Sequence, residues 1–250
     1  MDLKRPRILI TNDDGYHADG ILAMEQGLKE IGDVFMVAPE AEMSGASHSL
    51  TLARPLRIRQ IDERHWTVDG TPTDCVTLAL NHILPKELRP DICCSGINHG
   101  ANLGDDATYS GTVAGALEST ILGVPGLAFS LTTHSDHDFT DSVNVVKEIT
   151  LKALADGIPK WTLLNVNVPL CTPKGIRITK QGFKTARPVI SQHSDPRGKP
   201  YYWIGELREG FRAEGGTDFE AIHDGYVSVT PMRSDLTSHS GLEKLKSWNT

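Results

Sequence analysis

The sequence predicts an α/β protein built on a doubly wound sheet. Short apolar runs alternate with amphipathic helical stretches from Arg7 to Val168. That alternation is the signature of parallel strands joined by helical crossovers. Polar or glycine-rich loops follow several of the apolar runs, as expected where strands deliver groups to one edge of a sheet. With 250 residues, 39% of them hydrophobic, the chain can bury a large core in one domain or one domain with an appendage.

Each element has its own justification. Arg7 to Thr11 is the first strand, and Ala18 to Ile31 a helix with Ile21, Leu22, Met24 and Leu28 on one side. Val34 to Ala38 is a second buried strand, ended by Pro39, and Ala41 to Ser49 is a small-residue loop. Leu52 to Ile61 alternates well enough to pair as a strand with His65 to Val68. Thr71-Pro72-Thr73-Asp74 starts a helix, with Thr as N-cap, Pro at the first position and Asp three after the cap. Asp91 to Ser95 is the next buried strand and runs into a glycine-rich loop, Gly96 to Gly104. Gly111 to Leu122 is helical, Leu127 to Leu131 a strand, Phe139 to Ala155 a helix and Thr162 to Val168 a strand. Beyond Pro173 the pattern changes. Gly, Pro and charge rise from Arg187 to Gly216, and a strand (Tyr226 to Thr230) and a short helix (Leu242 to Trp248) close the chain.

Bulk chemistry narrows the function. A formal net charge of −7 argues against a binder of nucleic-acid polymers, whose footprint is a basic patch. No apolar run has the length of a membrane span. Four cysteines, at 75, 93, 94 and 171, form no C-x-x-C pair, and vicinal Cys93-Cys94 would point to opposite faces of a strand. This usage suits a reducing compartment, so a cytoplasmic protein is expected. The G-x-G-x-x-G fingerprint is missing after the first strand, as are a P-loop and a G-x-S-x-G elbow. His134-x-x-His137 is too sparse a pattern to build a zinc site on.

Chemistry gathers in three loops. Asn12-Asp13-Asp14-Gly15 follows the apolar run Ile8-Leu9-Ile10. Two adjacent carboxylates there can hold a hard cation such as Mg²⁺, Mn²⁺ or Ca²⁺, and the same residues are also good turn formers. Ser44 is either a ligand or an ordinary loop hydroxyl, and Asn98 either a ligand or a turn residue. Together Asp13, Asp14, Ser44 and Asn98 would offer a divalent ion an all-oxygen shell. Ser110-Gly111-Thr112 opens a helix whose free N–H groups make a phosphate cradle, although Ser110 serves equally as an N-cap. A metal-type acid pair and an anion-type helix start thus meet on one sheet edge.

These motifs also carry a family resemblance. Asn12-Asp13-Asp14-Gly15, Ser44-Gly45-Ala46-Ser47, Gly70-Thr71-Pro72-Thr73-Asp74-Cys75, Ser95-Gly96-Ile97-Asn98, Asn102-Leu103-Gly104-Asp105-Asp106 and Tyr109-Ser110-Gly111-Thr112-Val113 together resemble the SurE family. The likeness continues through Asp195-Pro196-Arg197-Gly198, Gly216-Thr217-Asp218 and Gly225 to Pro231, in order and over nearly the whole chain. These are the stationary-phase survival proteins, metal-dependent nucleotidases. Asp19 and Ala101 depart from the pattern, standing where many relatives have proline.

The resemblance implies a Rossmann-like three-layer α/β/α core over residues 1–172. It also implies a C-terminal extension over 173–250 that exchanges between subunits to give a homodimer or homotetramer. It implies one Mg²⁺ or Mn²⁺ per subunit on Asp13, Asp14, Ser44 and Asn98, with Asp13 and Asp14 also catalytic. Asn102, Ser110, Gly111 and Thr112 are the implied substrate contacts. The implied reaction removes phosphate from nucleoside 5′- and 3′-monophosphates, with some hydrolysis of short-chain polyphosphate. A rival on the same fold is a regulator that binds nucleotide or metal without catalysis.

Overall fold

The structure, a computed structural model, describes residues 5–133, 138–185, 188–206, 210–212 and 214–248. Strands β1 (Arg7–Thr11), β2 (Asp33–Pro39), β3 (Ile58–Gln60), β4 (His65–Val68), β5 (Ile92–His99), β6 (Gly126–Leu131) and β7 (Thr162–Val168) lie in one sheet. Strands β8 (Ile176–Ile178) and β11 (Val227–Arg233) complete it, in the order β3-β4-β2-β1-β5-β6-β7-β11-β8. β4, β2, β1, β5, β6 and β7 pair in parallel, whereas β11 runs antiparallel to β7. Strands β9 (Pro188–Ser194) and β10 (Pro200–Glu206) form a separate two-stranded antiparallel ribbon.

Helices cover both faces, which makes three layers. Alternation along the strands sorts the core. Ile8, Ile10, Val34, Met36 and Cys94 face α1 (Asp19–Lys29) and α4 (Thr140–Asp156), whose Ile21, Met24, Leu28, Val145, Val146 and Ile149 pack on them. Leu9, Phe35, Val37 and Cys93 face the other way, toward Cys75, Val76 and Ala79 at α2 (Pro72–Leu78) and the π turn after it. Cys93 and Cys94 therefore do point into opposite layers. On that second face, α3 (Gly111–Ile121) packs Val113 and Ala116 against Ala128 and Leu163.

Local signals set several boundaries. Thr71 caps α2 in a full capping box, its hydroxyl accepting from the Asp74 N–H while Asp74 accepts from the Thr71 N–H at 2.9 Å. The second Asp74 oxygen accepts from the Thr51 N–H at 2.9 Å, so the cap also anchors the chain that leads to β3.

Four expectations need correction. Leu22 is exposed, because a residue next to Ile21 on a helix lies about 100° from the buried stripe of Ile21, Met24 and Leu28. The strand expected over Leu52 to Ile61 shrinks to Ile58–Gln60; Pro55 has no N–H to give a ladder, and Leu52 is exposed. β5 extends through Asn98 and His99, which pair with Ser130 and Leu131, so half of the expected glycine-rich loop is strand. The closing helix runs His239–Leu245 and tightens to a 3₁₀ turn at Lys246–Trp248. The β9–β10 ribbon, β8 and the short helix α5 (Asp218–His223) carry no clear period in the sequence.

One close approach fixes how α1 sits on the sheet. A Cβ on Gly20 would lie 2.0 Å from the carbonyl oxygen of Ile97. Gly20→Ala is therefore expected to force α1 off β5 and cost about 1–3 kcal/mol, seen as a lower urea midpoint; an unchanged midpoint would contradict this packing.

Candidate functional site

The site follows from strand order. β1 lies between β2 and β5, and the chain builds outward on one side through β2 and on the other through β5. Connections leaving β1 and β5 therefore diverge, and the crevice beyond their carboxyl ends is where open α/β sheets bind ligands. A cleft of about 1600 Å³ sits there, lined by Asp13, Asp14, Ser44, Asn98, Asn102 and Ser110 among others.

Asn12 to Gly15 turns sharply at the end of β1, with the Asn12 side-chain amide donating to the Gly15 carbonyl at 2.8 Å. The turn and the candidate acid pair are one structure. Asp13 is 4% exposed, and the Thr112 hydroxyl donates to its Oδ1. A Cβ on Gly111 would fall 2.7 Å from the Asp13 Cβ, so the start of α3 presses directly against this side chain. Burial, opposed by the Thr112 hydrogen bond and reinforced by the Asp14 charge, pushes the Asp13 carboxyl from its ordinary 3.8 up to about 6. Burial also raises Asp14, against a hydrogen bond from the His99 N–H to its Oδ2 at 3.3 Å. Among the described residues, neither carboxylate forms an ion pair with Lys or Arg.

The other donors arrive from neighbouring loops. The Met43 N–H donates to the Asp13 carbonyl at 2.7 Å, folding the loop after β2 over the turn. There the Ser44 hydroxyl donates to Glu42 Oε1 at 2.8 Å, which leaves its oxygen lone pairs available to a cation. A register shift between Ser95 and Asn98 re-aims the end of β5, as bulges beside binding sites do, and the Asn98 side-chain amide donates to the Gly100 carbonyl at 2.8 Å. That bond turns the Asn98 nitrogen to its own loop and leaves the oxygen as its remaining acceptor.

Asn102 is buried and tightly held. Its N–H donates to Asn167 Oδ1 at 2.8 Å, its carbonyl accepts from Asn165 at 2.8 Å, and its own amide donates to Ser130 Oγ at 2.8 Å. Ser110 is the N-cap of α3, its hydroxyl accepting from the Val113 N–H at 3.1 Å. Gly111 and Thr112 lie behind Asp13 rather than among the residues lining the cleft, and the Thr112 hydroxyl is committed to that carboxylate.

Several lining residues had no local sequence signal. Glu42 and His99 only flank motif residues, Asp105 and Asp106 lie in a family motif without a role of their own in it, and Lys184 and Phe219 come from the C-terminal part of the chain. Asp218, itself buried, ties that part to the cleft by accepting from the N–H groups of Gly104 (2.8 Å), Gly182 (2.9 Å) and Phe219 (2.9 Å). Gln181 donates to the Gly104 carbonyl at 2.9 Å, and Lys184 pairs with Asp106 at 2.7 Å. Asp19 and Ala101, the two departures from the family pattern, both line the cleft. His134 and His137 lie outside the described residues, and among those described no trio of His, Cys, Asp or Glu is placed to hold a metal.

Fold and site define a class: doubly wound α/β proteins with an acidic, oxygen-lined cleft at the switch point of the sheet. The family model described as "Survival protein SurE" matches residues 8–188. The 5′-nucleotidase SurE of Pelobacter propionicus is 45% identical over 246 residues, covering 96% of this chain and 98% of its own. That of Aquifex aeolicus is 46% identical over 245 residues, covering 96% and 97%. The crystal structure of the SurE protein from Aquifex aeolicus matches with a TM-score of 0.87 at 46% identity, over 98% of this chain and 100% of that one. The chain belongs to the SurE family.

Because the Asp13 carboxyl is raised in the folded state, the folded chain holds its proton more tightly than the unfolded chain does. That contribution is complete below the ordinary 3.8 and is lost as the pH rises toward about 6. In EDTA, the wild type is therefore expected to lose about 3 kcal/mol of stability relative to Asp13→Asn across this window, read by urea unfolding at stepped pH. Parallel pH profiles for the two proteins would refute the assignment.

Proposed function

We propose that the chain is a 5′-nucleotidase, a metal-dependent phosphomonoesterase that hydrolyses nucleoside 5′- and 3′-monophosphates and some short-chain polyphosphate. One observation carries the reading. The helix start that would receive a phosphate is pressed against a buried carboxylate from the acid pair. The names of the relatives, 5′-nucleotidase SurE, point to the same reaction.

Electrostatics supports a cation at this place. The cleft walls carry Asp13, Asp14, Asp19, Glu42, Asp105 and Asp106, while the lysine among them, Lys184, is paired with Asp106. A phosphate dianion would be repelled from such walls unless a divalent ion reversed the local field. The residues present fit one: Asp13, Asp14, Ser44 and Asn98 offer hard oxygen donors, and the raised Asp13 carboxyl reports a buried acid short of countercharge. One Mg²⁺ or Mn²⁺ per subunit is the proposed occupant, supplying Lewis acidity and charge neutralisation.

The chain's own residues do the rest. Asp13 or Asp14 orients the attacking water and accepts its proton, while the positive end of the α3 dipole, at Ser110 on the cleft wall, stabilises the negative charge of the phosphoryl group. Ser110 and Asn102 bound the phosphate, and Gly111 and Thr112 hold Asp13 in line. Attack by an aspartate itself ranks lower, because a carboxylate committed to a cation is a poor nucleophile.

The subunit is proposed to assemble as a homodimer or homotetramer through the C-terminal extension. The β9–β10 ribbon exposes Tyr202, Trp203 and Ile204, and an isolated two-stranded ribbon with apolar faces is marginal in water. A cytoplasmic location is proposed from four free cysteines, and among the described residues no helix is long and apolar enough to cross a membrane.

Phosphate release from AMP and GMP, with and without Mn²⁺, tests the reading. Release should need the metal, and Asp13→Asn should lower it by about 100-fold or more with the fold intact. Full turnover by Asp13→Asn in Mn²⁺ would sink the proposed role. Nucleotide binding without any phosphate release by the wild type would favour a non-catalytic regulator. Sedimentation velocity should give at least a dimer, and a monomer at micromolar concentration would defeat the assembly proposal.

A further inference from the structure

Ser44 stands farther from a strand than the other proposed ligands, five residues past Pro39 at the end of β2. Its place is set by the bonds that hold its loop. On the strand side, Met43 is tied to the Asp13 carbonyl. On the far side, Ser47 adopts a left-handed conformation (φ 56°), its N–H donating to the Tyr109 carbonyl at 3.1 Å and its hydroxyl to the Thr108 carbonyl at 2.8 Å. The next residue, His48, stays exposed, and its Nε2 lies 2.8 Å from Glu118 Oε2.

Glu118 is unusual in its setting. It is buried in α3, two turns beyond Gly111, and its second oxygen accepts from the Thr77 hydroxyl of α2 at 2.8 Å. One carboxylate thus joins α2, α3 and the Ser44 loop. The helix whose first turn holds Asp13 through Thr112 also holds, through Glu118, the loop that presents Ser44. A buried carboxylate without its partners is costly, so this junction resists loosening.

We propose that His48 is a positioning residue for the cation site. Its bond to Glu118 holds the loop so that Ser44 completes the donor set of Asp13, Asp14 and Asn98. The proposal rests on the cation reading given above. Groups that fix ligand geometry from behind typically govern metal affinity by about 10–100-fold.

Mn²⁺ alone, titrated into the full-length protein and followed by the EPR signal of the free ion, tests it without any turnover. His48→Ala should weaken Mn²⁺ binding by about tenfold. His48→Gln places an amide donor near the position of Nε2 and should recover most of the affinity, whereas His48→Asn, one methylene shorter, should not. Val146→Ala, a cavity in the α4 core on the opposite face of the sheet from α2 and α3, should lower the melting temperature without changing Mn²⁺ affinity. In phosphate release from AMP, saturating Mn²⁺ should restore kcat of His48→Ala while the Mn²⁺ needed for half-activation stays high. Wild-type affinity in His48→Ala, or equal affinities in the Gln and Asn variants, overturns the proposal. A wild type that takes up no Mn²⁺ overturns the cation reading itself and the proposal with it.

Discussion

A buried carboxylate packed against the first turn of a helix is the constraint on which this structure turns. Asp13 leaves the end of β1, loses nearly all contact with solvent, and meets the start of α3 at Gly111 and Thr112. A side chain at position 111 would collide with it, and the Thr112 hydroxyl is the largest of the hydrogen bonds that offset its burial. The contact places a negative group beside the positive end of a helix dipole while the rest of the acid pair faces the cleft. An acid held this way is costly when ionised and unaccompanied, which is why a cation fits the place.

The rest of the site is an outcome of sheet topology. With β1 between β2 and β5, residues far apart in sequence, in the loop after β2, at the end of β5 and at the head of α3, reach one crevice. Each approach is held by hydrogen bonds in which backbone groups take part. Met43 folds over Asp13, the His99 N–H reaches Asp14, and Asn165 and Asn167 lock the backbone at Asn102. Asp218 does the same for the far wall by gathering three N–H groups, and so makes the C-terminal part of the chain a piece of the cleft.

Much of this was legible because the signals were local. The Thr71 capping box, the Ser110 cap and the opposed Cys93 and Cys94 follow from chemistry within four residues or from strand alternation. Legibility failed where the deciding partner was distant. β5 continues through Asn98 because β6 lies alongside to pair with it, and nothing near Gly96 announces that partner. The β9–β10 ribbon buries neither face in the described chain, so it lacks the clean alternation of a half-buried strand. Lys184 and Phe219 join the cleft from the C-terminal part of the chain, where no motif marks them as neighbours of Asp106 or Gly104.

By itself, the amino-acid sequence determined the α/β class, the order of the core elements, the two-acid turn after β1 and the family to which the chain belongs. Those properties rest on short-range periodicity, capping and ordered motifs, all written along the chain. Tertiary structure alone decided which loops share a crevice, that Thr112 serves Asp13, and that a carboxylate in mid-helix reaches His48. These are consequences of strand order and helix packing, which bring residues together across separations that no local pattern encodes.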